Sequence, residues 1–333
     1  MENRLNVTAS PHIQDNSSTR KLMLNVIIAL LPCVVASTII FGARTLLVVG
    51  VTVAASVLFE YLYCHLMKKP NPVGDLSAVV TGMILALNMP VTMPLWIAIV
   101  GAFIAIVLMK QLFGGIGMNF ANPALVARIV LFTGFASRMT AFVNPPKAAR
   151  TLQIMGVDGA SSATPLQVEG GVGKYPLMDL FMGVHGGVMG ETCALAILIG
   201  LAWLLITRTI TATIPVAYVG SYAVFSFLLN VGELGAADAG MLVLHEVLAG
   251  GLLFGAVFMA TDYVTSPFTL KGKLIYGVAL GVVTFAIRYW GSYTEGVSFA
   301  LLFMNLWVPY INDLTRQTPY GYVKPAKKEA AGK

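Results

Sequence analysis

The residues best suited to do chemistry in this chain lie in one polar stretch, Asp158-Gly159-Ala160-Ser161-Ser162-Ala163-Thr164-Pro165-Leu166. Small side chains and a following proline imply a flexible, exposed run of backbone with one threonine hydroxyl that a modifying enzyme can reach. The order Asp, two residues, Ser or Thr, a small residue, Ala, Thr matches the pattern through which a flavin transferase joins flavin mononucleotide to threonine by a phosphoester. In that pattern Thr164 is the acceptor, and Ser161, Ser162 and Ala163 keep its surroundings small enough to enter the transferase. Asp158, six residues earlier, is placed to orient the loop or to assist a metal-dependent transferase. Glycine is the commoner occupant where Ser162 stands. A match of this stringency arises at about one position in 10⁵ from average residue usage. The alternative is an ordinary Asp/Gly/Ser turn in a loop.

Few other side chains are candidates. Glu60, Asp75, Arg128, Glu191, His245, Glu246, Asp262 and Arg288 fall in or beside apolar stretches. A charge inside a bilayer is costly, so it normally faces a cavity or a partner. Asp75 and Glu191 stand where helices begin, a place that suits a capping carboxylate. Together with Asp262 they are the candidates for an ion path. Asp262 is the more informative, because it adjoins a Val-Thr-x-Pro step in a glycine-broken region. His245 has no second His or Cys at ligand spacing, so we expect a packing histidine and no metal site. Cys33, Cys64 and Cys193 are too scattered for a disulfide framework or for an iron–sulfur cluster held by this chain alone. Gly114, Gly115 and Gly117 follow no strand and form no dinucleotide fingerprint. They are expected to let backbones approach closely, at helix contacts or beside a buried flavin ring.

These residues have to be held by helices in a membrane. Of 333 residues, 57% are hydrophobic and 11% charged, against roughly 25% charged in ordinary soluble domains. That leaves too little polar surface to clothe a soluble body, which excludes a nucleic-acid binder, a disordered regulator and a secreted disulfide scaffold. Crossing a hydrocarbon core takes about 20 apolar residues of helix. Ten spans are predicted: Leu22–Gly42, Leu46–Leu66, Leu76–Pro90, Leu95–Phe113, Ala121–Ser137, Glu191–Thr207, Ile210–Leu229, Leu244–Ala260, Leu274–Tyr289 and Val297–Asn312. The third is short and ends at Pro90, and the eighth is interrupted by Gly250, Gly251 and Gly255. The first is too long for a signal-peptide core and lacks a cleavage site, so it is read as retained.

With the N-terminus inside, 14 Lys and Arg fall on the inner side and 6 on the outer, with Arg128 inside a span. Four of the six lie in the one long connection, which counts for little in setting orientation. Both termini are therefore expected in the cytoplasm. The domains run 1–21 (cytoplasmic leader), 22–137 (first five spans), 138–190 (extracytoplasmic loop with the attachment motif), 191–312 (second five spans) and 313–333 (cytoplasmic tail). A weak repeat supports the division: Gly82, Asn88, Val91, Thr92 and Pro94 correspond to Gly255, Thr261, Val264, Thr265 and Pro267 at a shift of 173. Five spans per half force the second copy upside down, the inverted-repeat arrangement of many transporters. The fold class read from sequence is thus an all-α polytopic membrane protein with ten helices as 5+5 inverted repeats.

The chain resembles the RnfD family, a membrane component of the Rnf ferredoxin–NAD oxidoreductase, whose sister family is NqrB of the sodium-pumping NADH–quinone reductase. The resemblance rests on Ser10-Pro11-His12-Ile13, Ala29-Leu30-Leu31-Pro32, Gly114-Gly115-Ile116-Gly117, Asn122-Pro123-Ala124, the attachment motif, Gly190-Glu191-Thr192, Met259-Ala260-Thr261-Asp262 and Val264-Thr265-Ser266-Pro267. The short leader and total length suit the Rnf family better. The resemblance implies a covalent flavin mononucleotide on Thr164, a second, non-covalent flavin such as riboflavin, and electron transfer between ferredoxin and NAD coupled to movement of Na⁺ or H⁺. It implies partners: RnfA, RnfB, RnfC, RnfE and RnfG of the Rnf complex, a flavin transferase, membrane lipid, and ferredoxin and NAD through the other subunits, with no nucleic acid. It also implies residence in a bacterial or archaeal cytoplasmic membrane, as a subunit catalytically incomplete on its own. Competing readings are a solute transporter or channel on the same scaffold, an NqrB-type subunit of a sodium-pumping NADH–quinone reductase, and a structural assembly subunit without flavin.

Overall fold

In a computed structural model of the chain, the described residues are 18–143, 161–162, 164–166, 175–291 and 296–317. The attachment-motif residues Asp158 and Ala163 lie outside them. Eleven helices carry the architecture: α1 Thr19–Phe41, α2 Arg44–Leu66, α3 Ser77–Leu87, α4 Leu95–Gln111, α5 Pro123–Gly134, α6 Ala194–Ile206, α7 Thr213–Leu234, α8 Ala236–Leu248, α9 Leu252–Met259, α10 Leu270–Trp290 and α11 Val297–Leu314. Short helical turns occur at Ala136–Met139 and Leu177–Met182, and the two strands are the dipeptides Phe142–Val143 and Ser161–Ser162.

Length sorts the helices. Five of them (α1, α2, α7, α10 and α11) are long and apolar enough to cross a membrane, and α8 with α9 make a sixth span bent by 64° at a three-residue break. A 23-residue helix extends about 35 Å, enough for the hydrocarbon core. The four shorter apolar helices α3, α4, α5 and α6 have 10–17 residues. Several starts are capped by side chains: Ser18 accepts from Lys21 N, Asn122 from Ala124 N and Leu125 N ahead of Pro123, and Thr269 from Gly272 N. These caps satisfy orphan N–H groups that apolar surroundings cannot.

The ends differ from the sequence expectation in specific places. The third span stops at Leu87 rather than Pro90, because the Asn88 side chain bonds back to the Ile84 carbonyl and Pro90 cannot extend the helix. The fifth and sixth spans are shorter than expected, at Pro123–Gly134 and Ala194–Ile206. The eighth begins earlier, at Ala236, and breaks at residues 249–251, where Gly250 has φ +72. Gly255 is not a break: it opens a π-helical stretch, Gly255–Met259, and α4 ends in another, Ile104–Gln111. Wide turns of this kind are frequent at functional sites.

Packing is tightest where glycine removes a side chain. A Cβ at Gly200 of α6 would lie 2.4 Å from the Ala29 carbonyl of α1, and one at Gly281 of α10 would lie 2.8 Å from the Tyr218 carbonyl of α7. Close backbone contact of this sort substitutes for the hydrophobic drive that lipid removes. One continuous core includes Leu30, Leu85, Ile97, Leu125, Ile197, Tyr218, Phe254, Tyr276 and Leu301. The bundle has two ends. One gathers Ser18, Lys68, Val73–Asp75, Asn119, Arg208, Asp262 and Arg316. At the other, Arg44 donates to the Val91 carbonyl, Thr92 to that of Ala141 and Ser37 to that of Met189.

Candidate functional site

The attachment segment is docked rather than free. Ser161 and Ser162 pair antiparallel with Val143 and Phe142. Thr164 is 3% exposed and Pro165 is buried beside it. Leu166 packs with Leu180 and Ala249, and its Cδ1 lies 2.8 Å from where a Gly250 Cβ would stand. The exposed strand expected from the small residues is therefore corrected: Leu166 is apolar, and the glycine break between α8 and α9 gives it a place to bury. A buried histidine at the same end, His185, has its imidazole held below the usual range by burial, against the raising effect of carbonyls of Gly186 and Thr192.

Three sets of charged side chains converge on that break. Glu191 Oε1 accepts from Arg128 Nη2 at 2.8 Å, both groups being buried, and the same oxygen would lie 2.8 Å from a Gly251 Cβ. Glu191 was expected to cap α6. It pairs with Arg128 of α5 instead, because an arginine inside an apolar bundle needs a buried anion. Arg288 of α10 donates to Tyr222 Oη at 3.1 Å and to the carbonyls of Glu246 and Ala249, closing the end of α8. Glu246 accepts from Tyr222 and Ser226 of α7 and from Tyr289 of α10. His245 ties the segment at Tyr175 to α8, its ring nitrogens at 2.7 Å from the Met241 carbonyl and 3.0 Å from that of Tyr175.

The opposite end carries a second ionic cluster. Lys110 Nζ lies 2.6 Å from Glu60 Oε1 and 2.5 Å from Ser77 Oγ, and Gln111 donates to the same Glu60 oxygen at 2.8 Å. Lys110, inside the predicted span Leu95–Phe113, is 3% exposed within the π turn of α4. Its signal was Glu60, an acid inside a span that had to have a cationic partner. Asp75 does stand at a helix start, its Oδ1 accepting from the backbone N of Ser77 at 2.7 Å. Gly114, Gly115 and Gly117 serve the turn after α4, with φ of +121, +97 and +89, and a Cβ at Gly117 would meet nothing within 4 Å. Their role is conformational, not close packing.

Beside this second cluster a cavity of about 290 Å³ opens among α1, α3, α6, α9 and the segment before α5. Asp262, Lys110, Asn119 and Asn122 give it polar walls, and Val80, Ile84 and Phe258 apolar ones. Asp262 accepts from Thr265, holding the Val264–Thr265 turn. Asn119 Oδ1 is buried with no hydrogen-bond partner. The structure thus separates the candidate ion-path residues: Glu191 lies at the Thr164 end, Asp75 and Asp262 at the other. Among the described residues, no group of three His, Cys, Asp or Glu could hold a metal ion, and the three cysteines are free.

Comparison with known proteins places the whole chain. A family model described as the NQR2, RnfD, RnfE family matches residues 6–321. A protein of Acetobacterium woodii, named as the D-type subunit of a Na(+)-translocating ferredoxin:NAD(+) oxidoreductase complex, is 42% identical, over 99% of both chains. One of Clostridium ljungdahlii, named as the D-type subunit of a proton-translocating ferredoxin:NAD(+) oxidoreductase complex, is 33% identical, over 96% of this chain and 97% of that protein. One of Stutzerimonas stutzeri, named as the D-type subunit of an ion-translocating oxidoreductase complex, is 35% identical, over 95% and 96%.

Proposed function

This chain belongs to the NQR2, RnfD, RnfE family, and from that premise we propose that it is the flavin-carrying membrane subunit of an ion-translocating ferredoxin:NAD oxidoreductase complex. Electrons pass through a flavin mononucleotide esterified to Thr164, and their passage is coupled to movement of Na⁺ or protons. The observation that carries the reading is the docking of the attachment segment on the α8–α9 break beside Arg288. The residues there fit the group. Thr164 offers the hydroxyl for a phosphoester, and Arg288 Nη2, 3.3 Å from a Gly250 Cβ position, offers a cation to offset its charge. Bound flavin supplies one- and two-electron chemistry that side chains lack. The protein's part is to hold the phosphoester, to exclude water with Pro165 and Leu166, and to fix the guanidinium through Tyr222.

A second, non-covalent flavin such as riboflavin fits the 290 Å³ cavity, near the lower end of the usual range of about 300–1,000 Å³ for small-molecule sites. The unpaired Asn119 oxygen and the Asn122 side chain are its polar contacts.

We take α3, α4, α5 and α6 as membrane-embedded too, giving ten spans as 5+5 inverted repeats. In support, both Val-Thr-x-Pro steps directly link the third span of a half to its fourth, and Asn88 after α3 reaches Met259 at the end of α9. Both termini are cytoplasmic, and 138–190 lies outside with Thr164. The partners are the other subunits of the complex, with ferredoxin and NAD engaged through them. The relatives' names divide between Na⁺ and protons, so the cation is left as either. In-gel fluorescence of the denatured subunit from its native host tests the reading, with its intact mass. A solute carrier on the same scaffold, favoured by the broken helices, gives a colourless band of unmodified mass.

A further inference from the structure

A second and larger cavity, about 560 Å³, opens at the end of the bundle that carries Ser18 and Arg316. The start of α1, the α6–α7 turn, the segment after α9 and the start of α10 enclose it. Three cationic side chains line it, Lys21, Arg208 and Lys273, together with the hydroxyls of Thr207, Thr211 and Ser266, and no acidic residue is among its walls. Among the described residues no carboxylate comes within ion-pair distance of any of the three cations. Lys273 Nζ makes only a long bond, 3.4 Å, to Thr211 Oγ1.

The backbone adds to the same potential. Helices α1, α7 and α10 all begin at this cavity, and none has an acidic residue in its first turn. Helix starts carry partial positive charge that Asp or Glu ordinarily offsets. Here lysines stand in two of those first turns, an arrangement that disfavours itself unless an anion is present. Arg208 is held at φ +51, in the left-handed region that non-glycine residues avoid. Apolar side chains then continue from the rim: Ile206 is 78% exposed, Leu270 70% and Leu274 55%. A cationic pocket flanked by bare apolar helix is built for an amphiphile. Basic pockets between helices on the cytoplasmic face are a known way to hold anionic headgroups.

We propose that this pocket binds the phosphate of an anionic phospholipid, with the acyl chains lying along Ile206, Leu270 and Leu274. The pocket adjoins the cavity proposed for the second flavin, sharing Leu22, Ile210, Thr261 and Tyr263 with it, and lies at the end of the bundle opposite Thr164. Native mass spectrometry of the full-length chain, delipidated in detergent and titrated with phosphatidylglycerol, phosphatidylcholine or inorganic phosphate, tests it. Phosphatidylglycerol should be retained about tenfold better than phosphatidylcholine, a difference near 1.4 kcal/mol. Lys21→Gln/Arg208→Gln/Lys273→Gln should lose that preference, while Lys68→Gln/Lys69→Gln, charges at the same end outside the pocket, should keep it. If the triple variant fails to fold, the single variants Lys21→Gln and Lys273→Gln should each lower the preference. Equal retention of the two lipids by the unaltered chain would overturn the proposal. So would equal loss with the Lys68/Lys69 pair. Equal thermal stabilisation by inorganic phosphate alone would assign the pocket to a soluble anion and overturn the lipid.

Discussion

Thr164 is 3% exposed and its hydroxyl is buried, so a group esterified to it has to be installed before the segment settles on the helix break, or while it is lifted. Thr164→Ala should abolish covalent fluorescence of the denatured chain yet leave the helices inserted, since the segment adds little to bundle packing. Thr164→Ser keeps the chemistry and should retain part of the label. A Thr164→Ala band that still fluoresces sinks the assignment. A different residue-scale test concerns Glu60, which is 0% exposed and relies on Lys110 and Gln111. Lys110→Ala leaves a buried carboxylate without its cation, a change that costs about 3–5 kcal/mol. The expected result is a clearly lower melting temperature of the solubilised protein. Glu60→Gln/Lys110→Met removes both charges and should recover most of that loss. A double variant as unstable as Lys110→Ala would mean that the cluster matters for its hydrogen bonds and not for its charge balance.

At the scale of elements, the α8–α9 break joins the attachment segment to the buried ion pairs. Gly250→Ala meets two obstacles there: a φ of +72 and Leu166 Cδ1 at 2.8 Å. Left-handed backbone costs a non-glycine residue about 1–2 kcal/mol, and Leu166 has to shift as well. The variant should melt earlier and be cut by protease near Leu166 faster than the unaltered chain. Gly220→Ala on α7, with nothing within 4 Å of the new carbon, should instead be neutral or stabilising by up to about 1 kcal/mol. Equal effects at both sites would show that the break does not hold the segment. The contrast also explains what the sequence could tell. The long apolar runs of α1, α2, α7 and α10 were legible because a membrane span announces itself by length. The glycines at 250 and 251 marked the bend. The short helices were overextended, because composition stays apolar past the point where Asn88 bonds back and ends α3. Arg128 with Glu191 and Glu60 with Lys110 lie 63 and 50 residues apart in sequence. Spacing along one helix cannot reveal such pairs; they form when separate helices pack.

For the molecule as a whole, the two ends have different charge. Lys21, Lys68, Lys69, Arg208, Lys271, Lys273 and Arg316 gather at the end opposite Thr164, and in membrane proteins generally short basic loops favour the cytoplasmic side. On the proposed orientation, electrons that start on cytoplasmic ferredoxin have to cross the membrane to reach a flavin on Thr164 and return to reach NAD, with partner subunits as intermediate stops. Charge moved across the membrane can be balanced by a cation, which gives the route a physical means of coupling. Each elementary charge works against about 2.3 kcal/mol per 100 mV, so the redox drop has to exceed that for net pumping. This coupling route depends on the sidedness of Thr164. In a background lacking Cys33, Cys64 and Cys193, Lys174→Cys should react with a membrane-impermeant maleimide in intact cells. Lys271→Cys, at an exposed position at the start of α10, should react only after lysis. The reverse pattern puts the flavin on the ferredoxin side and removes the transmembrane electron step, and with it this route to coupling.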